Sequence, residues 1–214
     1  MPKKRLLFLT SLFITSLLIA NITAVKLVQI GGLIVPAAVF VFPITFLVTD
    51  VVCEVWGKKQ ATELVWLGFF MNIVLMGYLQ LGRVLPPAPV WPDQKAYEAI
   101  FGAVPRIVLA SMCAYIISQT HDVWAFDYWR RLTRGKHLWL RNNLSTMASQ
   151  LMDTVVFITI GFAGTVPRGA LIGMIFSQYM VKLVLALIDT PFCYLVVNWA
   201  RKERGTNVIQ AEEN

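Results

Sequence analysis

LLFLTSLFITSLLIANITAVKL, residues 6–27, is a 22-residue run with one amide, Asn21, and one charge, Lys26. As a helix it would be about 33 Å long, against a hydrocarbon core of about 30 Å. Read as a membrane span, it decides the fold. The preceding MPKKR imitates the start of a secretory signal. However, the apolar run outlasts a signal core and no clear small-residue cleavage site ends it, so it reads as a retained helix. Working outward, five further apolar stretches follow at Leu33–Trp56, Leu64–Leu81, Val104–Trp124, Leu144–Gly164 and Ala170–Trp199. The sequence predicts an all-α membrane protein of six transmembrane helices occupying residues 1–204, followed by a disordered polar tail at 205–214.

Composition agrees. Of 214 residues, 57% are hydrophobic and only 14% charged, whereas a soluble domain carries about 25% charged residues. The mean hydropathy of +0.64 leaves too little polar surface for a soluble enzyme. The net charge of +7 would suggest nucleic acid in a soluble protein. In a membrane protein it reports orientation, because Lys and Arg collect in cytoplasmic loops. With the N-terminus inside, the cytoplasmic side holds Lys3–Arg5, Lys58, Lys59, Arg130, Arg131, Arg134, Lys136, Arg141, Arg201, Lys202 and Arg204, thirteen in all. The outer side holds five: Lys26, Arg83, Lys95, Arg106 and Arg168. Both termini are therefore expected in the cytoplasm, with lipid as the surrounding partner and no nucleic acid. The outer loop at 83–103, with Pro86, Pro87, Pro89 and Pro92 around Trp91, reads as a stiff connector.

Charges inside a span cost about 2.5–3.5 kcal/mol each on insertion scales, so they face protein or water. Asp50 and Glu54 lie one turn apart at the inner end of the second stretch. Asp153 lies mid-way along the fifth, and Lys182 and Asp189 lie in the last. Asp153 is about 9 residues above the inner start of its helix and Lys182 about 12 below the outer start of its own. At about 1.5 Å per residue the two share a level. Antiparallel neighbours would thus bring Asp153 and Lys182 together. Ser111, Tyr115, Ser118 or Gln119, and Asp122 form a polar stripe on the fourth stretch. Asn142, Ser145, Ser149, Gln150 and Asp153 form one on the fifth, and Gln178 and Lys182 share a face at i, i+4 on the sixth. Inward polar stripes predict a hydrated central cavity.

Other chemistry finds no motif. Cys53, Cys113 and Cys193 have no second Cys or His at ligand spacing, and His121 and His137 have no nucleophile at a motif spacing. No phosphate-binding glycine loop is present, so no catalytic residue, metal, cofactor or intrinsic ATP hydrolysis is expected. VTDVV (48–52) echoes LMDTVV (151–156), which would suit an inverted repeat of two three-helix halves.

FPITFLVTDVVCEVWGKK (42–59), RIVLASMCAYIISQTHDVWAFDYWRR (106–131) and LWLRNNLSTMASQLMDTVVF (138–157) resemble the queuosine-precursor, or vitamin uptake, transporter family. KLVLALIDTPFCY (182–194) and the first helix with Asn21 and Lys26 fit it too, while Cys53 stands where a small polar residue such as Asn is expected. The resemblance implies a bacterial inner-membrane importer of 7-cyano- or 7-aminomethyl-7-deazaguanine. It implies a fold similar to the substrate-binding subunits of energy-coupling-factor vitamin transporters, without an obligate ATPase. A carboxylate of Asp50, Glu54 or Asp153 would read the base. Asn21, Gln119 or Gln150 would take its other edges, and Trp56, Tyr115 or Phe157 would stack on it. Asp153, held ionised by Lys182 beside Gln178, is the favoured reader, with Asp50 and Glu54 at an inner gate. Lys26, Arg106, Asp122 and Asp189 are expected as gating or structural polar groups. The other readings are a binding subunit for a different vitamin, a polytopic membrane enzyme and a structural scaffold.

Overall fold

The computed structural model describes residues 4–132 and 138–212, with side chains described at all of these except 58, 119–120, 122–146, 186–191, 193–194 and 202–212. Helices α1 (Lys4–Thr23), α2 (Phe42–Trp56), α3 (Lys58–Val84), α4 (Gln94–Phe101), α5 (Val104–Leu132), α6 (Leu138–Phe162) and α7 (Arg168–Glu212) make up most of it. Among the described residues, Lys4–Thr23, Lys59–Val84, Gln94–Ser118 and Arg168–Leu185 are long and apolar enough to cross a membrane, and Met147–Phe162 is a shorter apolar helix.

The second stretch does not begin as a helix at Leu33. Strand β1 (Leu27–Ile30) pairs antiparallel with β2 (Leu33–Pro36), Val28 opposite Val35 and Ile30 opposite Leu33. The two-residue turn requires positive φ at both positions, and Gly31 and Gly32 supply it at 55° and 86°. A 3-10 turn, Ala37–Phe40, follows, and α2 starts only at Phe42 with Pro43 in its first turn. The fifteen residues of α2 cover about 22 Å and the 3-10 turn adds about 8 Å. Even added end to end they are shorter than the roughly 36 Å of a 24-residue helix. Two further differences are local. The proline-rich loop contains α4, whose Tyr97 hydroxyl donates to Leu79 O at 3.5 Å. The backbone of α7 stays helical to Glu212, through residues read from sequence as a disordered tail.

Two apolar clusters hold the bundle. One joins Leu9, Phe13 and Leu17 of α1 to Val48, Val51, Val52 and Val55 of α2, Leu64, Val65 and Phe69 of α3, and Val197 and Ala200 of α7. The other joins Ala20 of α1 and Ala24 just beyond it to Ile107, Ala110 and Ala114 of α5, Phe157, Ile158 and Phe162 of α6, and Met174 of α7. Hence α7 runs antiparallel to α1: its start lies by the end of α1, and residues near 200 lie by its beginning. Arg5 confirms the second contact. Its guanidinium donates to Trp199 O and sits 4.9 Å from the centre of that indole. Outward-facing Trp66, Phe70, Tyr78 and Leu81 of α3 are exposed, as expected of a surface whose solvent is lipid.

Candidate functional site

Asp153 and Lys182 meet. Lys182 Nζ donates to Asp153 Oδ2 across the α6–α7 contact, with side-chain exposures of 8% and 19%. Depth counted along two separate helices is therefore enough to pair them. The ammonium also lies 5.9 Å from the centre of the Phe42 ring, at the start of α2. Phe42 stands edge-to-face with Phe157 of α6 at 6.2 Å, and Phe157 meets Phe162 at 6.2 Å. An ion pair with an aromatic wall thus sits where α2, α6 and α7 converge.

Among the described residues, three buried amides have an oxygen without a hydrogen-bond partner. Gln178, one turn from Lys182 and 2% exposed, has an unpartnered Oε1, as has Gln150, one turn from Asp153. Asn21, 1% exposed, donates from Nδ2 to Asn72 Oδ1 at 2.7 Å while its own Oδ1 is unpartnered. An unmade buried hydrogen bond costs about 1–3 kcal/mol, so three such oxygens call for a ligand or bound water to supply donors. The hydroxyls, by contrast, are largely satisfied by their own helices: Thr45 to Phe42 O at 2.7 Å, Thr154 to Gln150 O at 2.8 Å and Ser118 to Tyr115 O at 3.1 Å. His121 Nδ1 lies 3.2 Å from Ser149 Oγ, tying α5 to α6 one turn from Asp153.

The remaining expected site residues lie elsewhere. Glu54 is at the termini end, paired with Arg201, both side chains 57% exposed. Arg201 lies 19 residues beyond Lys182 on one continuous helix, about 28 Å away, so Glu54 and Asp153 occupy different levels. Asp50 shares the exposed face of α2, because valines 48, 51, 52 and 55 occupy the opposite, buried face. Tyr115 packs edge-to-face on Phe69 at 5.2 Å, and Trp56 borders the same apolar cluster with a buried, unpartnered Nε1. Arg106 closes the end of α6, donating from Nε to Ile160 O at 2.6 Å and from Nη2 to Ala163 O. Lys26 contributes its backbone carbonyl to Ala37 N at 2.8 Å, extending the hairpin. The side chains of Gln119, Asp122, Asp189, His137 and Cys193 lie outside the described residues.

Open space is found away from the pair: a cavity of about 520 Å³ lined by Ala163, Gly164, Val166, Arg168, Leu171 and Ile172, and one of about 150 Å³ between α1 and α3. Phe42 and Asn72 were absent from the sequence-level site. An amide amid the apolar run LGFFMNIVLMG carries the same signal as Asn21 and could have been read, whereas Phe42 has none.

Apolar helices around a buried ion pair define a multi-pass membrane protein of the transport class. Residues 36–196 match the family described as "Putative vitamin uptake transporter", and the chain belongs to that family. It is 37% identical over 176 residues to the "Probable queuosine precursor transporter" of Bacillus subtilis (strain 168), covering 82% of this chain and 77% of that protein. It is 28% identical over 161 residues to the "Queuosine precursor transporter" of Escherichia coli (strain K12), covering 73% and 68%. A Haemophilus influenzae relative, "Probable queuosine precursor transporter", is 27% identical over 161 residues, covering 73% and 65%. No solved structure matches the chain.

Proposed function

We propose that this protein imports queuosine precursors, 7-cyano- or 7-aminomethyl-7-deazaguanine, across the bacterial inner membrane. In this reading it has six spans and both termini in the cytoplasm, with a fold like the binding subunits of energy-coupling-factor transporters and no obligate ATPase. The observation that carries it is the Asp153–Lys182 pair against Phe42 and Phe157, ringed by unpartnered amide oxygens, in a chain whose relatives are named for these precursors.

The chemistry is complementary. A guanine-type edge presents N1–H and the exocyclic amine side by side, and one carboxylate accepts both. Replacing N7 by carbon removes a ring acceptor, leaving a base rich in donors for a site rich in acceptors. Lys182 pairs with Asp153, Gln150 and Gln178 flank the base, and Phe157 with Phe42 offers a ring face. Asp50 and the Glu54–Arg201 pair form the inner gate at the termini end.

The test is complementation in cells unable to make the precursor, scored by queuosine in tRNA. The wild-type chain restores the nucleoside and Asp153→Ala at equal expression does not. Failure of the wild type to restore it overturns the function. Normal restoration by Asp153→Ala overturns the site.

A further inference from the structure

The hydrogen bonds between α1 and α3 fix something the amides alone leave open. Asn and Gln side chains are nearly symmetric in shape, so which end accepts must be read from their partners. Here the partners decide. Asn72 reaches back to Gly68 O at 3.0 Å. A carbonyl oxygen accepts and never donates, so Asn72 must turn its NH2 toward Gly68. Its Oδ1 then faces Asn21, which must answer with its own NH2, at 2.7 Å. The one atom left over is Asn21 Oδ1, buried and without a partner.

The rung cannot easily slip. Asn21 and Asn72 are each 1% exposed. A Cβ at Gly68 would stand 2.6 Å from Phe13 and 2.8 Å from Leu17, so these α1 side chains pack directly on the α3 backbone there. Ala20, next to Asn21 on α1, packs in the cluster containing Phe157, which also meets Phe42, and Phe42 faces Lys182. The neighbour of Asn21 thus belongs to the same cluster as the aromatic wall of the transport site.

We propose that Asn72 is a positioning residue: it commits Asn21 Oδ1 to act as an acceptor, so that this wall of the site selects a base with an N–H donor facing α1. The inference rests on the transport reading above and adds the polarity of one contact and the residue that sets it. Asn72 touches no substrate itself. Without it Asn21 is free to turn, and its NH2 accommodates an acceptor in the same place.

Binding of three ligands to the purified full-length protein tests this. They are the 7-cyano-7-deazaguanine base, the analogue with a ring oxygen in place of the pyrrole N–H, and, as a control for the edge assigned to Asp153, the analogue lacking the exocyclic amine. The wild type discriminates against the ring-oxygen analogue by at least about tenfold, the worth of a buried donor–acceptor pair. In Asn72→Leu that ratio falls to within about threefold, and the rejected analogue binds better than to wild type, because a turned amide supplies its hydrogen bond. A change in stability alone produces no such gain. Asn72→Ser, which retains a back-bond to Gly68 O but releases Asn21, gives the same collapse and serves if the leucine variant folds poorly. Equal ratios in wild type and both variants, or no discrimination by the wild type, overturn the proposal alone. No binding of the parent base to the wild type overturns the transport reading and this proposal with it.

Discussion

Neutralising the central pair separates a structural ion pair from one that reads a ligand. Three variants are needed: Asp153→Asn, Lys182→Met and the double substitution. Side-chain exposures of 8% and 19% place both charges in the low-dielectric interior. Removing one partner leaves the other charge uncompensated, at a cost of about 3–5 kcal/mol. For a chain of this length that is a fall of roughly 6–20 °C in Tm. The double variant has no charge to strand and similar side-chain volumes, so its Tm returns to within about 1 kcal/mol of wild type. Transport separates from stability at this point. A carboxylate that accepts two N–H groups contributes about 1.5–3 kcal/mol for each charge-assisted bond. Losing their ionic character weakens base binding by roughly 10²–10⁴-fold. Thermal unfolding in detergent and uptake of labelled base at matched expression are the two assays. A thermally recovered double variant with at least about 100-fold lower apparent affinity is the expected result. A double variant that transports within about threefold of wild type refutes the assignment of Asp153 to the base.

Three further perturbations probe the surroundings. Glu54→Gln or Arg201→Gln removes an ion pair whose side chains are 57% exposed, so Tm changes by no more than about 1 kcal/mol equivalent while transport kinetics shift; a large loss of stability refutes its role as an easily opened contact. Gly68→Ala places a methyl 2.6 Å from the Phe13 ring. The resulting overpacking lowers stability by about 1–3 kcal/mol in a thermal melt, and an unchanged melt refutes the close α1–α3 approach. Arg106→Met strands Ile160 O and Ala163 O at the end of α6; hydrogen exchange at residues 160–166 rises and overall stability falls by about 1–3 kcal/mol.

How far the sequence could be read depended on whether the answer lay along a helix or around it. Depth runs along the helix, and counting residues from each end sufficed to pair Asp153 with Lys182. The i, i+4 relation of Gln178 to Lys182 likewise needs only helical geometry. Direction around the axis requires knowing which face a neighbour covers. The acids of α2 were grouped correctly on one face, but the valines at 48, 51, 52 and 55 mark the opposite face as the packed one, so Asp50 and Glu54 turn away from the central pair. The hairpin was hidden for a different reason. Leu27–Ile30 and Leu33–Pro36 are apolar apart from Gln29, and in a membrane chain such runs look like more helix. Gly31-Gly32 flanked by branched residues was the signal, and turn chemistry outweighed hydropathy there. Arg201 was counted with the orientation charges, and its partner 147 residues away on α2 could not be inferred from that count.

The two ion pairs on α7 differ in what it costs to open them, and that difference bears on how a carrier of this shape would work. At Lys182–Asp153, with side-chain exposures of 8% and 19%, separation strands two buried charges, at an effective penalty of several kcal/mol per ion. At Glu54–Arg201, water already reaches more than half of each side chain, and separation costs about 1 kcal/mol or less whether or not the site is filled. Between them runs about 28 Å of one helix that includes Pro191, which has no N–H to give to the carbonyl of Leu187. A helix with one hydrogen bond missing between a strong contact and a weak one bends most readily at that point. On the proposed import function the weak end would move while the strong pair stays closed, the order of events that release toward the termini side requires.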